Sequence, residues 1–421
     1  MRDPRLQHLG FCAPVAGQDL APLMGRPPGD LPRGYEGAPL MATLIEGLLA
    51  SGLQLSVFTL SADLPLDAGP VCIPSARWPG LRVHFVPSRP RAWRPVQGRP
   101  GRILDLYRLE RQGLCAAIAA ARPQVVHAHW AYEFAWAALD SGVPAVVTSH
   151  DSPLLVARMN TWAKPTISLY RWLRVLMARE VLRRARHLTV VSPYMQEALA
   201  GLARATPVVV PNAVQAALVA RGHDRERPAG LRIALISHGW RRRKNAQPAL
   251  LAFASRRRQD PSLALHLFGH EFEPDGAAQA WCRRTPAMAD ALEALHFHGP
   301  LPHETLMRRL EGLDLLLHPS LEESFGMVLV EALALGLPVV AGAHSGAVPW
   351  VVQAPESLCD VRDSADIARA LARVSEPRTY ARLSAQGRQQ VQTRFGLDAV
   401  VRAYLQTYEQ ALGLDARAPA P

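Results

Sequence analysis

Short apolar runs rich in branched residues alternate with longer stretches whose apolar positions recur every three or four residues. The runs at 53–60, 82–86, 124–127, 145–149, 188–192 and 207–210 are strand-length and continuously apolar, so they predict strands buried on both faces. The stretches 40–50, 103–121 and 167–186 between them carry helical periodicity. Strands interleaved with helices in this way predict βαβ units and a parallel sheet. The alternation stops over 211–230, PNAVQAALVARGHDRERPAG, which is polar, holds Gly and Pro, and has no strand pattern. It restarts at 231–237 with LRIALIS and continues with strands at 263–268, 295–298, 315–318 and 338–341. The expectation is two doubly wound α/β domains facing a cleft, joined by a linker near 212–230, with ligands at the carboxyl ends of the strands. The segment 87–102, PSRPRAWRPVQGRPGR, is too dense in proline for regular structure and predicts a surface loop.

Composition narrows the class. The 421 residues are 49% hydrophobic and 20% charged, an ordinary globular balance. No apolar run nears the roughly 18 residues of a membrane span, and the first nine residues lack the basic-then-apolar pattern of a secretory signal. Cys12, Cys72, Cys115, Cys282 and Cys359 are scattered, with no Cys-x-x-Cys spacing, which predicts neither a disulfide framework nor a zinc ribbon and points to a cytoplasmic location. The net charge is +11, yet of 47 Lys and Arg only Lys164 and Lys244 are lysines. An arginine excess spread over the whole chain points to an anionic partner without choosing among phosphate, anionic lipid and nucleic acid.

The chemistry concentrates in 315–342, LLLHPSLEESFGMVLVEALALGLPVVAG. A buried strand ends at Pro319, a loop follows, and a helix begins near Gly326. Free amides and the positive end of the dipole at a helix N-terminus make an anion site suited to a diphosphate. Glu323 in the loop and Glu331 in the helix lie eight residues apart. Carboxylates beside such a site accept hydrogen bonds from sugar or ribose hydroxyls. By themselves they read equally as two solvated glutamates.

The segment 319–341 resembles the signature of the retaining glycosyltransferases of family 4, P-S-x-x-E-G-F-G-x-x-x-x-E-A-x-A-x-G-x-P-V-V-A, and departs from it at Ser324, where the family has Gly. Further segments resemble the family in the same order: HFHGPLPHETL at 296–306, VVVPNAV at 208–214, and QVVHAHWAYEFAWAALDSGVPAVVTSHDSP at 124–153. The C-terminal helices at 381–412 resemble the family's, whose last helix crosses back to the first domain. The resemblance implies a GT-B fold of two Rossmann-like domains. The first is 1–212 with the crossover helix 397–413, on the acceptor side; the second is 213–396 and binds the donor.

It also implies roles. A nucleotide-diphosphate sugar serves as donor substrate, with no cofactor and no metal. Lys244 and an arginine neutralise the diphosphate; Arg241 is the assignment and Arg243 the alternative. Glu331 holds the ribose and Glu323 the sugar hydroxyls. Ser324, Phe325, Gly326, Met327 and Val328 line the diphosphate loop, and Pro302 lies by the nucleobase. In the first domain His150 resembles the family histidine that contacts the donor sugar, and Gly37 stands for the glycine loop, although the usual Gly-Gly pair is Glu36-Gly37 here. His127 and His129 form His-x-His with no third ligand in view and read as cleft or core residues. Trp240 and Trp350 stand at loop positions where the family has other residues.

The implied activity is transfer of a sugar, with retention, to a glycan, lipid-linked or small-molecule acceptor in bacterial polysaccharide or glycoconjugate synthesis. Two other readings fit the same residues: a sugar-nucleotide epimerase, and a non-catalytic sugar-nucleotide-binding subunit of a polysaccharide assembly complex. The arginine-rich helix at 167–186 reads first as a helix packing its apolar stripe on a sheet, and second as a peripheral contact with anionic membrane. No nucleic-acid motif is present.

Overall fold

The computed structural model describes residues 3–159, 165–237, 239–240 and 242–414. The chain forms two compact units: residues up to Ala213 together with the chain from Leu397, and Val214–Gly396.

The first unit holds an eight-stranded sheet. Its strands are β1 (His8–Cys12), β2 (Gln54–Ser61), β3 (Val71–Pro74), β4 (Leu81–Pro87), β5 (Val125–His129), β6 (Ala145–Ser149), β7 (His187–Val190) and β8 (Val208–Val209). They run in the order β3-β4-β2-β1-β5-β6-β7-β8, all parallel except the β3–β4 pair. The strand order reverses direction at β1, so the β1/β5 edge is a topological switch point. The central strand β1 is absent from the pattern reading, because HLGFC is short, begins with His8 and holds Gly10. Its core side chain Phe11 belongs to one buried cluster with Ile45, Leu48, Val57 and Phe85, and with Val400, Tyr404 and Tyr408 of the helix Leu397–Ala411. That last helix seats against Leu40–Ala50, where a Cβ on Gly47 would come within 2.7 Å of Leu397.

The second unit is a six-stranded, fully parallel sheet of β9 (Arg232–Ile236), β10 (Ala264–Phe268), β11 (Leu295–Gly299), β12 (Leu315–His318), β13 (Val339–Gly342) and β14 (Leu358–Cys359). Its order is β11-β10-β9-β12-β13-β14, with the switch point between β9 and β12.

Three expectations are corrected. The stretch 212–230 is not a free linker. It contains the helix Ala216–Arg221, and Arg225 bonds the carbonyls of Leu335 (3.0 Å) and Leu313 (2.7 Å) within the second unit. The helix expected from 103 begins at Arg108, because Leu106 and Tyr107 take positive φ in the preceding turn. The 87–102 segment is not wholly at the surface. Arg89 is 1% exposed and pairs with Glu110 (2.6 Å) and Asp105 (2.8 Å), so a buried ion-pair network shapes the turn.

Candidate active site

Three loops leave the carboxyl ends of β9, β11 and β12. The β9 loop carries Lys244 and the β12 loop carries Glu323; they meet at the switch point, where Lys244 Nζ donates to Glu323 Oε1 at 2.7 Å. Backbone bonds set the pair. Leu321 N donates to the Arg243 carbonyl (2.9 Å), Asn245 Nδ2 to the carbonyls of Pro319 (3.1 Å) and Val361 (2.7 Å), and Ala347 N to the Glu323 carbonyl (2.9 Å). Arg243 Nη1 reaches Glu322 Oε2 at 3.2 Å. His318, the last residue of β12, is buried, with Nε2 3.3 Å from Glu323 Oε1. Burial opposes ionisation of Glu323, but His318 and Lys244 outweigh it and hold the carboxyl well below the usual carboxylate range. Glu322, more weakly compensated, is pushed up by burial.

The helix Met327–Ala334 starts beside this pair. Gly326 caps it at φ 92°, and a Cβ there would lie 3.0 Å from Leu329 Cδ1, so only glycine turns the chain here without strain. The amides of Leu329 and Val330 turn back to the Gly326 carbonyl (3.0 and 3.4 Å), leaving those of Met327 and Val328 as the open donors of the first turn. Phe325 is buried edge-on against Phe395 (5.4 Å) and Trp350 (6.2 Å) and anchors the loop beside Ser324. Further along the helix, Glu331 Oε1 is bonded by His303 Nε2 at 2.7 Å. His303 opens the helix His303–Glu311, with Pro302 at its N-cap, so this bond ties Pro302 and the β11 loop to the Glu331 helix.

In the first unit, His150 follows β6 and is buried. Its Nε2 lies 2.9 Å from His129 Nδ1, and Asn212 bonds its ring. Burial lowers its pKa to about 3, so the ring is neutral at working pH. His127 joins the same buried stack at 4.0 Å from His129, bonded to Tyr408 (2.7 Å) and Thr148 (2.6 Å). Both imidazoles are core groups, held neutral by burial. Gly37 has φ 112° and precedes the helix Leu40–Ala50, with open space where a Cβ would stand. The tighter glycine is Gly34, where a Cβ would approach the Val15 carbonyl to 2.4 Å.

The sequence profile of "Glycosyl transferases group 1" matches residues 223–390, and that of "Glycosyltransferase Family 4" matches 39–218. A glycogen synthase of Mycobacterium tuberculosis is 30% identical over 301 residues, covering 68% of this chain and 69% of the relative. The chain belongs to glycosyltransferase family 4. A D-inositol 3-phosphate glycosyltransferase of Salinispora arenicola is 28% identical over 395 residues, covering 87% of this chain and 85% of that one. Sucrose-phosphate synthase from Thermosynechococcus elongatus shares the fold with a TM-score of 0.69 at 21% identity, covering 97% of this chain and 100% of its own. This family 4 enzyme therefore has the GT-B fold and is a retaining glycosyltransferase that uses a nucleotide-sugar donor and a sugar acceptor.

Within the second unit of this glycosyltransferase, Lys244, Glu323, Ser324, Phe325, Gly326, Met327, Val328, Glu331 and Pro302 fall on the loops after β9, β11 and β12 and on one helix. His150 and Gly37 belong to the other unit. Arg241 lies outside the described residues. Three contributors escaped the sequence reading: Asn245, His303 and His318. His303 sits beside Pro302 in sequence, but its partner Glu331 is 28 residues away, and spacing carries no sign of the bond. The two tryptophan departures from the family have packing roles: Trp240 lies against Phe272 (5.7 Å) and Trp281 (5.6 Å), while Trp350 lies under the Arg394 guanidinium (4.7 Å).

Proposed function

We propose that the donor's diphosphate binds at the N-terminus of the Met327–Ala334 helix, on the Met327 and Val328 amides, with Lys244 and an arginine, Arg241 or Arg243, supplying the charge. The observation that carries this reading is the Lys244–Glu323 pair held at the switch point next to the open turn after Gly326. An ammonium has three donors, so Lys244 keeps one on Glu323 and offers the others to phosphate oxygens. Glu323, ionised and acceptor-only, takes hydroxyls of the sugar; Glu331, oriented by His303, takes those of the ribose; Pro302 bounds the nucleobase. In the first unit His150 serves the reaction as a neutral hydrogen-bonding imidazole, and Gly37 lies in the glycine loop assigned to the donor.

Transfer breaks the bond from the anomeric carbon to the diphosphate and forms one from the acceptor oxygen on the same face. The acceptor proton passes to the departing diphosphate. Fixed cations and helix amides lower the barrier by stabilising the negative charge that develops there, without need of a metal. Glycans, lipid-linked sugars and small molecules are the acceptor classes, in bacterial polysaccharide or glycoconjugate synthesis. No described helix is long and apolar enough to cross a membrane. A peripheral contact with anionic lipid, and so a place at the cytoplasmic face, is supported by the helix Pro165–Arg184. It buries only Met177, Ala178, Val181 and Leu182, and exposes Leu169 (52%), Trp172 (42%) and Leu176 (56%).

Calorimetry with UDP, GDP, ADP and their common hexose conjugates tests the donor site. One nucleotide binding selectively, and failing to bind a Lys244→Ala, Glu331→Ala double variant, is the expected result. Indifference to the whole panel removes the assignment.

A further inference from the structure

The first unit has an open pocket of about 560 Å³ that no role assigned so far accounts for. It lies at the carboxyl ends of β2 and β4, lined by Leu60 of β2, by Ala62 and Asp63 after it, by Ser88 and Pro90 after β4, and by Arg33–Glu36 and Arg102. Its size is in the range of about 300–1,000 Å³ usual for small-molecule sites.

Two arginines of the 87–102 segment have opposite fates. Arg89 is saturated: Glu110, Asp105 and the Pro100 carbonyl take its donors. Arg102 is half-buried, and among the described residues no carboxylate lies within ion-pair distance of it. Its Nη1 donates to the Arg89 carbonyl (3.0 Å), and its Nε has no partner. The guanidinium is held in place by the faces of Tyr107 (5.3 Å) and Tyr35 (5.9 Å). Burial opposes its charge, and only the surrounding tyrosines and the more distant Glu133 compensate, so its planar fork suits an oxyanion at hydrogen-bond distance. Arg33, exposed on the rim, adds a second positive charge.

The acidic groups divide differently. Asp63 accepts from Ser61 Oγ and from the Arg33 amide (3.0 Å), so its carboxylate is anchored in the frame, where it meets hydroxyls. Glu36 is exposed at the mouth. A pocket with anchored carboxylate and unsatisfied guanidinium suits a molecule carrying both hydroxyls and an oxyanion.

We propose that this pocket takes a sugar or polyol acceptor bearing a phosphomonoester or carboxylate, with the oxyanion on Arg102 and Arg33. This inference rests on the reading of the chain as an acceptor-using transferase. It deepens that reading by naming the acceptor class.

The test is calorimetry on the full chain with hexose 6-phosphates, inositol phosphates, hexuronic acids and their neutral parents, with and without the nucleoside diphosphate that binds the donor site. The phosphate and uronate arms separate the two oxyanions. At least one anionic sugar is expected to bind ten-fold or more tightly than its neutral parent. Arg102→Met loses that preference and Arg102→Lys keeps part of it. Thermal unfolding and unchanged nucleoside-diphosphate affinity show that the variants are folded. Neutral and anionic sugars binding alike, no binding by any anionic sugar, or an Arg102→Met variant that retains the preference, each overturns the proposal. The nucleoside-diphosphate titration reads the donor site on its own. Its failure counts against the donor assignment, while the anionic-sugar arms still decide this one.

Discussion

Lys244 and Glu323 pair at 2.7 Å at the switch point, and in the proposed donor site the lysine also meets the diphosphate. Removing Lys244 leaves Glu323 buried beside His318 alone, so on the proposed reading Lys244→Met acts twice: it deletes a phosphate ligand and frees the carboxylate assigned to the sugar hydroxyls. Charged hydrogen bonds are worth about 1.5–3 kcal/mol each, so nucleoside-diphosphate affinity is expected to fall by roughly 10- to 100-fold, read by calorimetry. An unchanged Kd removes Lys244 from the site. The histidines of the first unit make a pH prediction. His127, His129 and His150 all have native pKa values lowered by burial from the ordinary 6.5, His150 to about 3. As pH falls below about 6.5 the unfolded chain binds protons there that the native chain refuses. Native stability is therefore complete above that value and declines as the medium is acidified toward pH 3. The slope is about 1.4 kcal/mol per pH unit for each imidazole that stays neutral. Unfolding temperature between pH 7 and 4.5 should fall less steeply in His150→Asn than in the parent; parallel curves would show that His150 takes up its proton in the native state.

At the level of elements, the β12 loop and its helix were legible and the scaffolding around them was not. The signature from Pro319 to Ala341 is legible through the family resemblance that the whole run of residues carries; Glu323 and Glu331 alone read as solvated glutamates. The bonds from Asn245, His303 and His318 join residues from other loops and strands, and no local periodicity encodes them. The same limit explains β1, whose centrality comes from the strands on either side of it rather than from its own pattern. Gly326→Ala tests the loop. A left-handed conformation costs an ordinary residue about 1–2 kcal/mol, and the methyl would press on Leu329. A modest drop in unfolding temperature is expected, with a much larger loss of diphosphate binding. The helix Pro165–Arg184 buries Met177, Ala178, Val181 and Leu182 and also presents an exposed apolar row, Leu169, Trp172 and Leu176, followed by exposed Arg179 and Arg183. Replacing all three apolar residues with Glu should abolish co-sedimentation with phosphatidylglycerol vesicles. Stability should shift by only about 0.5 kcal/mol per site, as for other exposed positions. Equal sedimentation of the variant would remove the membrane contact.

At the scale of the molecule, the two α/β series and the break between them are visible in the alternation of apolar runs, whereas the return of the last helix to the first unit rests on the family resemblance alone. Periodicity marks 397–411 as an amphipathic helix without saying which unit covers its apolar face. The structure places Val400, Val401, Tyr404, Leu405 and Tyr408 in the core of the first unit, some 190 residues beyond that unit's own last strand in sequence. Burying a large apolar side chain contributes about 1.5–3 kcal/mol, so five of them amount to roughly 10 kcal/mol, comparable with the whole stability of a domain. Tyr408 also supplies the 2.7 Å bond to His127, and its loss would leave a fully buried imidazole short of a partner. Gly47 shows how closely the helix is seated, since any side chain there would collide with Leu397 and Val401. A chain ending at Gly396 is therefore expected to lose the cooperative unfolding of its first unit and to expose its apolar core. Residues 214–396 contribute no side chain to that core, so nucleoside-diphosphate binding should survive the truncation. Gly47→Val in the full chain should reproduce the effect in milder form, with the first unit melting earlier and diphosphate affinity unchanged. If the truncated chain instead melted with both transitions intact, the C-terminal helix would be an accessory to the first unit rather than part of its core. If diphosphate binding were lost along with the first unit, the donor site would depend on more than the loops of β9, β11 and β12.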